Sequence, residues 1–172
     1  MKNFEAQVNR LPTELEIKLS GYFNEAAEMP KIMQIPPTII TVNFGNVVFI
    51  NSTGIGRWVS WLRSEIAAKA PNAVFKLQEC PKCIVDQMNM VKGFLPTKVM
   101  VQSVFIPYYS PNTDESKSVL FKLSQKYKTR EELIAAAVGE LVLDSAGNPM
   151  ERDVDLGQYF RFFIPPTGLP IS

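Results

Sequence analysis

Phe4, Ala6 and Val8 alternate with polar residues, and after Leu11, Pro12 and Thr13 the alternation resumes at Leu15, Ile17 and Leu19. A period of two marks a half-buried strand, so the pattern predicts two strands joined by a short turn. Gly21 breaks the second strand, and Asn24 is placed to cap a short helix over residues 25–35, bent at Pro30 and ended by Pro36 and Pro37. Residues 38–42 are β-branched throughout, as expected of a central strand covered on both faces.

The apolar run from Val47 to Ile50 stops at Asn51-Ser52-Thr53-Gly54, after which apolar residues recur at Ile55, Val59, Leu62 and Ile66. On a helix those four positions fall within roughly 60° of one another, a narrow core stripe. The segment therefore predicts a buried strand end, a tight turn and a helix to about Ala70, closed by Pro71 and Asn72. Ser52 and Thr53 stand where an N-cap belongs, and Gly54 and Gly56 let the backbone approach a neighbouring strand or a phosphate closely. Trp58 lies at the edge of the stripe, about 60° away, and Trp61 roughly 120° away on the solvent side.

Further strands over 73–77 and 98–106 alternate with a helix over 80–91, which predicts an α/β layer fold with a mostly parallel sheet. The pattern changes at Pro107. Residues 108–116 read as a polar turn in a long hairpin, Thr129 and Glu132 as a capping box before a short helix over 133–138, and residues 144–149 as a turn between apolar strands at 141–143 and 159–164. Residues 107–172 thus form an α+β extension to a first domain of residues 1–106, with a frayed tail from Pro165.

Composition narrows the function classes. Of the 172 residues none is histidine, which removes every mechanism built on an imidazole base or a histidine ligand. The net charge of +1, without any dense run of Lys and Arg, argues against a nucleic-acid partner. No apolar run approaches the ~20 residues that span a bilayer, and the first residues lack an apolar signal region. A cytoplasmic protein without membrane insertion is expected.

The run from Asn43 through Gly56, Asn-Phe-Gly-Asn-Val-Val-Phe-Ile-Asn-Ser-Thr-Gly-Ile-Gly, resembles the signature of the STAS domain. That fold is shared by bacterial anti-sigma-factor antagonists and the cytoplasmic tails of sulfate transporters. The resemblance implies a non-catalytic protein-interaction module without cofactor, whose partner is an anti-sigma factor resembling a serine kinase or another signalling protein. It places Ser52 at the phosphorylated serine of the antagonists, and Asn43 and Asn51 where the family carries aspartates. The implied partner surface is Asn51, Ser52, Thr53, Gly54, Arg57 and Trp61. An unphosphorylated scaffold, or an accessory subunit of a signalling or lipid-transport complex, is the alternative. Tyr108 and Tyr109 also resemble the start of a C-terminal metal-binding ribbon of some STAS-like proteins, with Ser110 and Thr113 at its cysteine positions, so no metal is expected.

Ser52 has two readings from its local chemistry: a helix cap worth about 1 kcal/mol, or a phosphoacceptor whose charge would meet a helix N-terminus with Arg57 one turn along. Trp61 is either an interface anchor or covered by the extension. Cys80-Pro-Lys-Cys83 has the spacing of a redox pair, but Pro96 follows within about a dozen residues, too few for the strand and helix a thioredoxin fold needs. Cys80 and Cys83 are read as helix-start and core residues. Gly54 and Gly56 lack the third glycine of a dinucleotide fingerprint, and no phosphate-loop Gly-Lys-Ser/Thr occurs.

Overall fold

The computed structural model describes residues 3–32, 35–123 and 127–165. The two alternating segments form β1 (Glu5–Arg10) and β2 (Glu14–Phe23), an antiparallel pair with Ala6 opposite Leu19 and Val8 opposite Ile17. Gly21 does not end β2. It takes a φ of +80°, open to glycine at little cost, and the strand shifts register there and continues to Phe23. The helix expected over 25–35 does not form in residues 25–32. Asn24 closes a turn instead, its Oδ1 accepting from Ala26 N at 3.0 Å and its carbonyl from Ala27 N at 3.1 Å. Residues 33 and 34, where that helix would have ended, and the tail beyond 165 lie outside the described residues.

β3 (Ile39–Ile50) is one twelve-residue strand that joins the strand expected over 38–42 to the apolar run from Val47 to Ile50. Asn43 Oδ1 accepts from Gly45 N at 2.8 Å, an irregularity within the strand and not a break. There follow α1 (Ser52–Trp61) with a π-helical continuation (Leu62–Ala67), β4 (Val74–Gln78), α2 (Lys82–Met90) and β5 (Val99–Val101). The strands form one sheet in the order β1-β2-β3-β4-β5, parallel from β2 onwards. The two helical crossovers, β3 to β4 and β4 to β5, run the same way along the sheet, and the right-handed rule for such connections puts α1 and α2 on one face.

Register shows what that face buries. Leu15, Ile40 and Phe75 lie in one row and Ile17, Val42 and Leu77 in the next, all fully buried. The residues between them, Glu16, Thr41 and Lys76, point the other way and stay half-buried. β3 is therefore covered on one face only, correcting the expectation of two. Its β-branched composition looks fully buried in isolation, but the polar residues of its neighbours line the second face.

Trp58 is the centre of the core. It is 0 % exposed, packs against Phe23, Phe44, Phe75 and Phe94, and donates its indole N–H to the Phe94 carbonyl at 2.8 Å. The buried stripe of α1 is Gly54, Trp58 and Trp61, while Ile55 and Val59 are half-buried. A single 3.6-residue wheel fails here because Leu62 and Ile66 lie on π turns, whose hydrogen bonds span five residues, so joining them to Ile55 and Val59 misplaces the stripe by about one residue, roughly 100°.

The strand expected over 98–106 divides at Gln102, whose amide donates to Leu77 O at 2.8 Å. β6 (Ser103–Ser110) belongs to a second sheet, between β7 (Glu115–Lys122) and β8 (Glu151–Arg152). β6 runs across residues 106 and 107, where the boundary is expected. α3 (Arg130–Val138) carries the expected cap, Thr129 Oγ1 accepting from Glu132 N at 3.1 Å, and the Glu132 carboxylate accepts from Lys128 N at 2.8 Å. Residues 159–164 are not a strand. Tyr159 ends the short α4 (Leu156–Tyr159), and Phe160 packs on Phe121 and Phe162 in a core continuous with that of the first sheet. The strand expected over 141–143 is reduced to one bridge between Leu143 and Pro149.

Candidate functional site

The Asn51–Gly54 turn lies at the carboxyl end of β3, where open α/β sheets place their ligands and partners. Asn51 caps α1, its Oδ1 accepting from Gly54 N at 2.8 Å, so the cap falls one residue before the expected Ser52 and Thr53. Asn51 N also donates to Phe23 O at 3.2 Å, stitching the helix start to the end of β2. Relieved of capping, Ser52 and Thr53 are exposed on the first helical turn, and Arg57 is exposed one turn on.

Two of the expected partner residues are not on this surface. Gly54 is buried where α1 crosses the end of β2: a Cβ there would overlap the Phe23 carbonyl oxygen and lie 2.7 Å from its carbon. Trp61 is 5 % exposed, its indole N–H donating to the Pro30 carbonyl at 2.6 Å. The segment leading from β2 to β3 lies against it through Pro30. Trp61 is a core residue because the stripe of α1 is phased by Gly54 and Trp58.

Other residues take their place. Val48 and Phe49 are 51 % and 49 % exposed at the end of β3, although Val47 and Ile50 on either side are buried. The register shift between Gly21 and Tyr22 breaks strict alternation and leaves two consecutive apolar residues outside, with the Phe49 ring 6.4 Å from that of Tyr22. An apolar quartet with no polar punctuation gives no sign of this. Glu25 is also brought in, accepting from Asn51 Nδ2 at 3.3 Å. Its own backbone N–H, the Asn51 amide and the charge of Arg57 hold its carboxyl below the usual range. An acid therefore stands against Asn51, the residue before Ser52, although Asn43 and Asn51 are amides.

Cys80 is fully buried and Cys83 half-buried, and burial raises both thiols, with the charges of Cys83 and Glu79 adding to it at Cys80 and that of Asp86 at Cys83. Neither has the depressed pKa of a reactive cysteine. Ser110 and Thr113 converge on Asp144: the Ser110 hydroxyl donates to Oδ2 at 2.7 Å and the Thr113 hydroxyl at 3.2 Å, while Oδ1 accepts from Ala146 N and Asn148 N at 2.9 and 2.8 Å. These bonds, led by the one from Ser110, hold the Asp144 carboxyl far below its usual range. A carboxylate thus ties the two loops together where the ribbon resemblance would put a metal. Among the described residues no three Cys, Asp or Glu side chains are grouped to hold a metal ion, and no helix is long and apolar enough to cross a membrane.

No protein-family model matches the sequence, and no curated protein matches it.

Proposed function

We propose that this chain is a non-catalytic, STAS-type regulatory module, similar to anti-sigma-factor antagonists, whose partner surface is the start of α1 with the end of β3. The observation that carries the reading is the exposed Ser52 on the first turn of a ten-residue helix, between a cation at Arg57 and the apolar pair Val48 and Phe49. The apolar pair gives a partner something to bury, and the polar helix start gives it orientation. Phosphorylation at Ser52 adds a charge of about −1.5 to −2. The helix N-terminus and Arg57 stabilise that charge within the chain, whereas a partner seated on Phe49 must desolvate it or withdraw, and Glu25 adds to the repulsion.

A fixed assembly is the second reading, favoured by the structural employment of both asparagines: Asn51 caps α1 and Asn43 holds Gly45 N. Phosphosite mapping of the protein isolated from its native cells, in growth and under stress, separates the two. The switch requires a fraction with one phosphate on Ser52. Protein unmodified at Ser52 in every condition refutes the switch.

A further inference from the structure

At the other end of the same helix, away from Ser52, a cavity of about 330 Å³ opens between the π-helical segment and the loop that joins α2 to β5. Its floor is apolar, formed by Leu62, Ile66 and Phe75, all buried, with Leu95 on one side. Arg63 and Lys98 stand exposed in its lining. Among the described residues, neither uses its side chain in a hydrogen bond or an ion pair. The nearest acid along the helix, Glu65, is already held by Lys69 and by the amide of Ile32. Leu62, Arg63 and Ile66 all lie on the π-helical segment, and π-helical turns inside α-helices occur frequently at functional sites.

We infer that this cavity binds the single aliphatic chain of a monomeric fatty acid, with the carboxylate held by Arg63 and Lys98. The charge decides the head: two cations without counter-charge at the edge of an apolar floor favour an anion, and Arg can take a carboxylate through two parallel bonds. The volume decides the tail. It sits at the lower end of the about 300–1,000 Å³ range of small-molecule pockets, room for one chain of medium length and not for the two chains of a phospholipid. The inference stands independently of any switch at Ser52.

Calorimetric titration of the full chain with hexanoate, octanoate and decanoate, each below its micellar concentration, tests it. The dissociation constant should fall about fourfold per added methylene until the cavity is full. Decanol, which has the tail without the charge, should bind at least tenfold more weakly than decanoate. The doubly neutralised variant R63Q/K98Q changes exposed side chains only and should lose that preference, while methyl NMR signals of Leu62, Ile66 and Leu95 should shift with decanoate in the wild type. No saturable binding of decanoate, equal binding of decanoate and decanol, or undiminished binding by R63Q/K98Q would overturn the inference. So would binding to anionic phospholipid vesicles without binding of the monomer.

Discussion

Gly54 and Gly56 sit two residues apart in one motif, yet replacement by alanine should move stability in opposite directions. At Gly54 the new Cβ meets the backbone of Phe23, which cannot rotate aside as a side-chain tip would. Making room means lifting the start of α1 from β2, which weakens the Asn51 N to Phe23 O bond and disturbs the Asn51 cap. Overpacking costs roughly 1–3 kcal/mol and a damaged cap about 1 kcal/mol more, so Gly54→Ala should lose about 3 kcal/mol. A chain of this size shifts by about 2–4 °C per kcal/mol, which puts the loss at about 6–12 °C in Tm. At Gly56 nothing lies within 4 Å of a built Cβ, and the residue is exposed inside a helix. There alanine removes backbone freedom from the unfolded chain and should gain about 0.5–1 kcal/mol, or about 1–4 °C. Thermal melts followed by far-ultraviolet circular dichroism read both. A Gly54→Ala protein as stable as wild type would refute the close crossing of α1 over β2.

Three further outcomes are expected. Trp61→Phe leaves the Pro30 carbonyl without its indole donor and should cost about 1–3 kcal/mol, with faster hydrogen exchange at Ala27 and Ile32. Unchanged exchange there would mean that Trp61 does not hold the segment down. Thr129→Ala should cost about 1 kcal/mol by removing the cap of α3, seen as a lower urea midpoint. Asp144 has a folded-state pKa below its unfolded value of about 3.9, so its contribution is complete above that value and is lost as pH falls through the folded pKa. Asp144→Asn should therefore be less stable than wild type at neutral pH, and the gap in Tm should narrow below about pH 4. A gap constant from pH 7 to pH 2 would contradict that assignment.

Much of the first sheet is legible because each of its signals is local. The period of two in β1 and β2, the punctuation at Pro71-Asn72, and the alternation of strand and helix all come from neighbours within a few residues. The five-stranded, mostly parallel sheet agrees with the expected α/β class. What fails depends on distant partners or on a changed period. No helical wheel announces the π turns after Trp61, and so a core tryptophan looks solvent-facing. The exposure of Phe49 originates in the extra residue, Val48, that β3 carries where Gly21 pairs with Val47 and Tyr22 with Phe49, a register set by the pairing with β2. Glu25 reaches Asn51 from 26 positions away, and Asp144 reaches Ser110 from 34. Residues 159–164 show the remaining difficulty: three phenylalanines read as a strand, yet they serve the core from a short helix and the turns after it, since their spacing alone does not tell which hydrogen bonds the backbone will make.

The face at the start of α1 is tested most directly by affinity purification of the tagged protein from its native cells, wild type beside Phe49→Ser and Ser52→Glu. Both changes are at exposed positions, and circular dichroism will verify that each variant is folded. A protein partner recovered with the wild type should fall at least tenfold with each variant, the loss of a central contact. Recovery of that partner at wild-type yield by both variants would contradict the assignment of this face to partner binding.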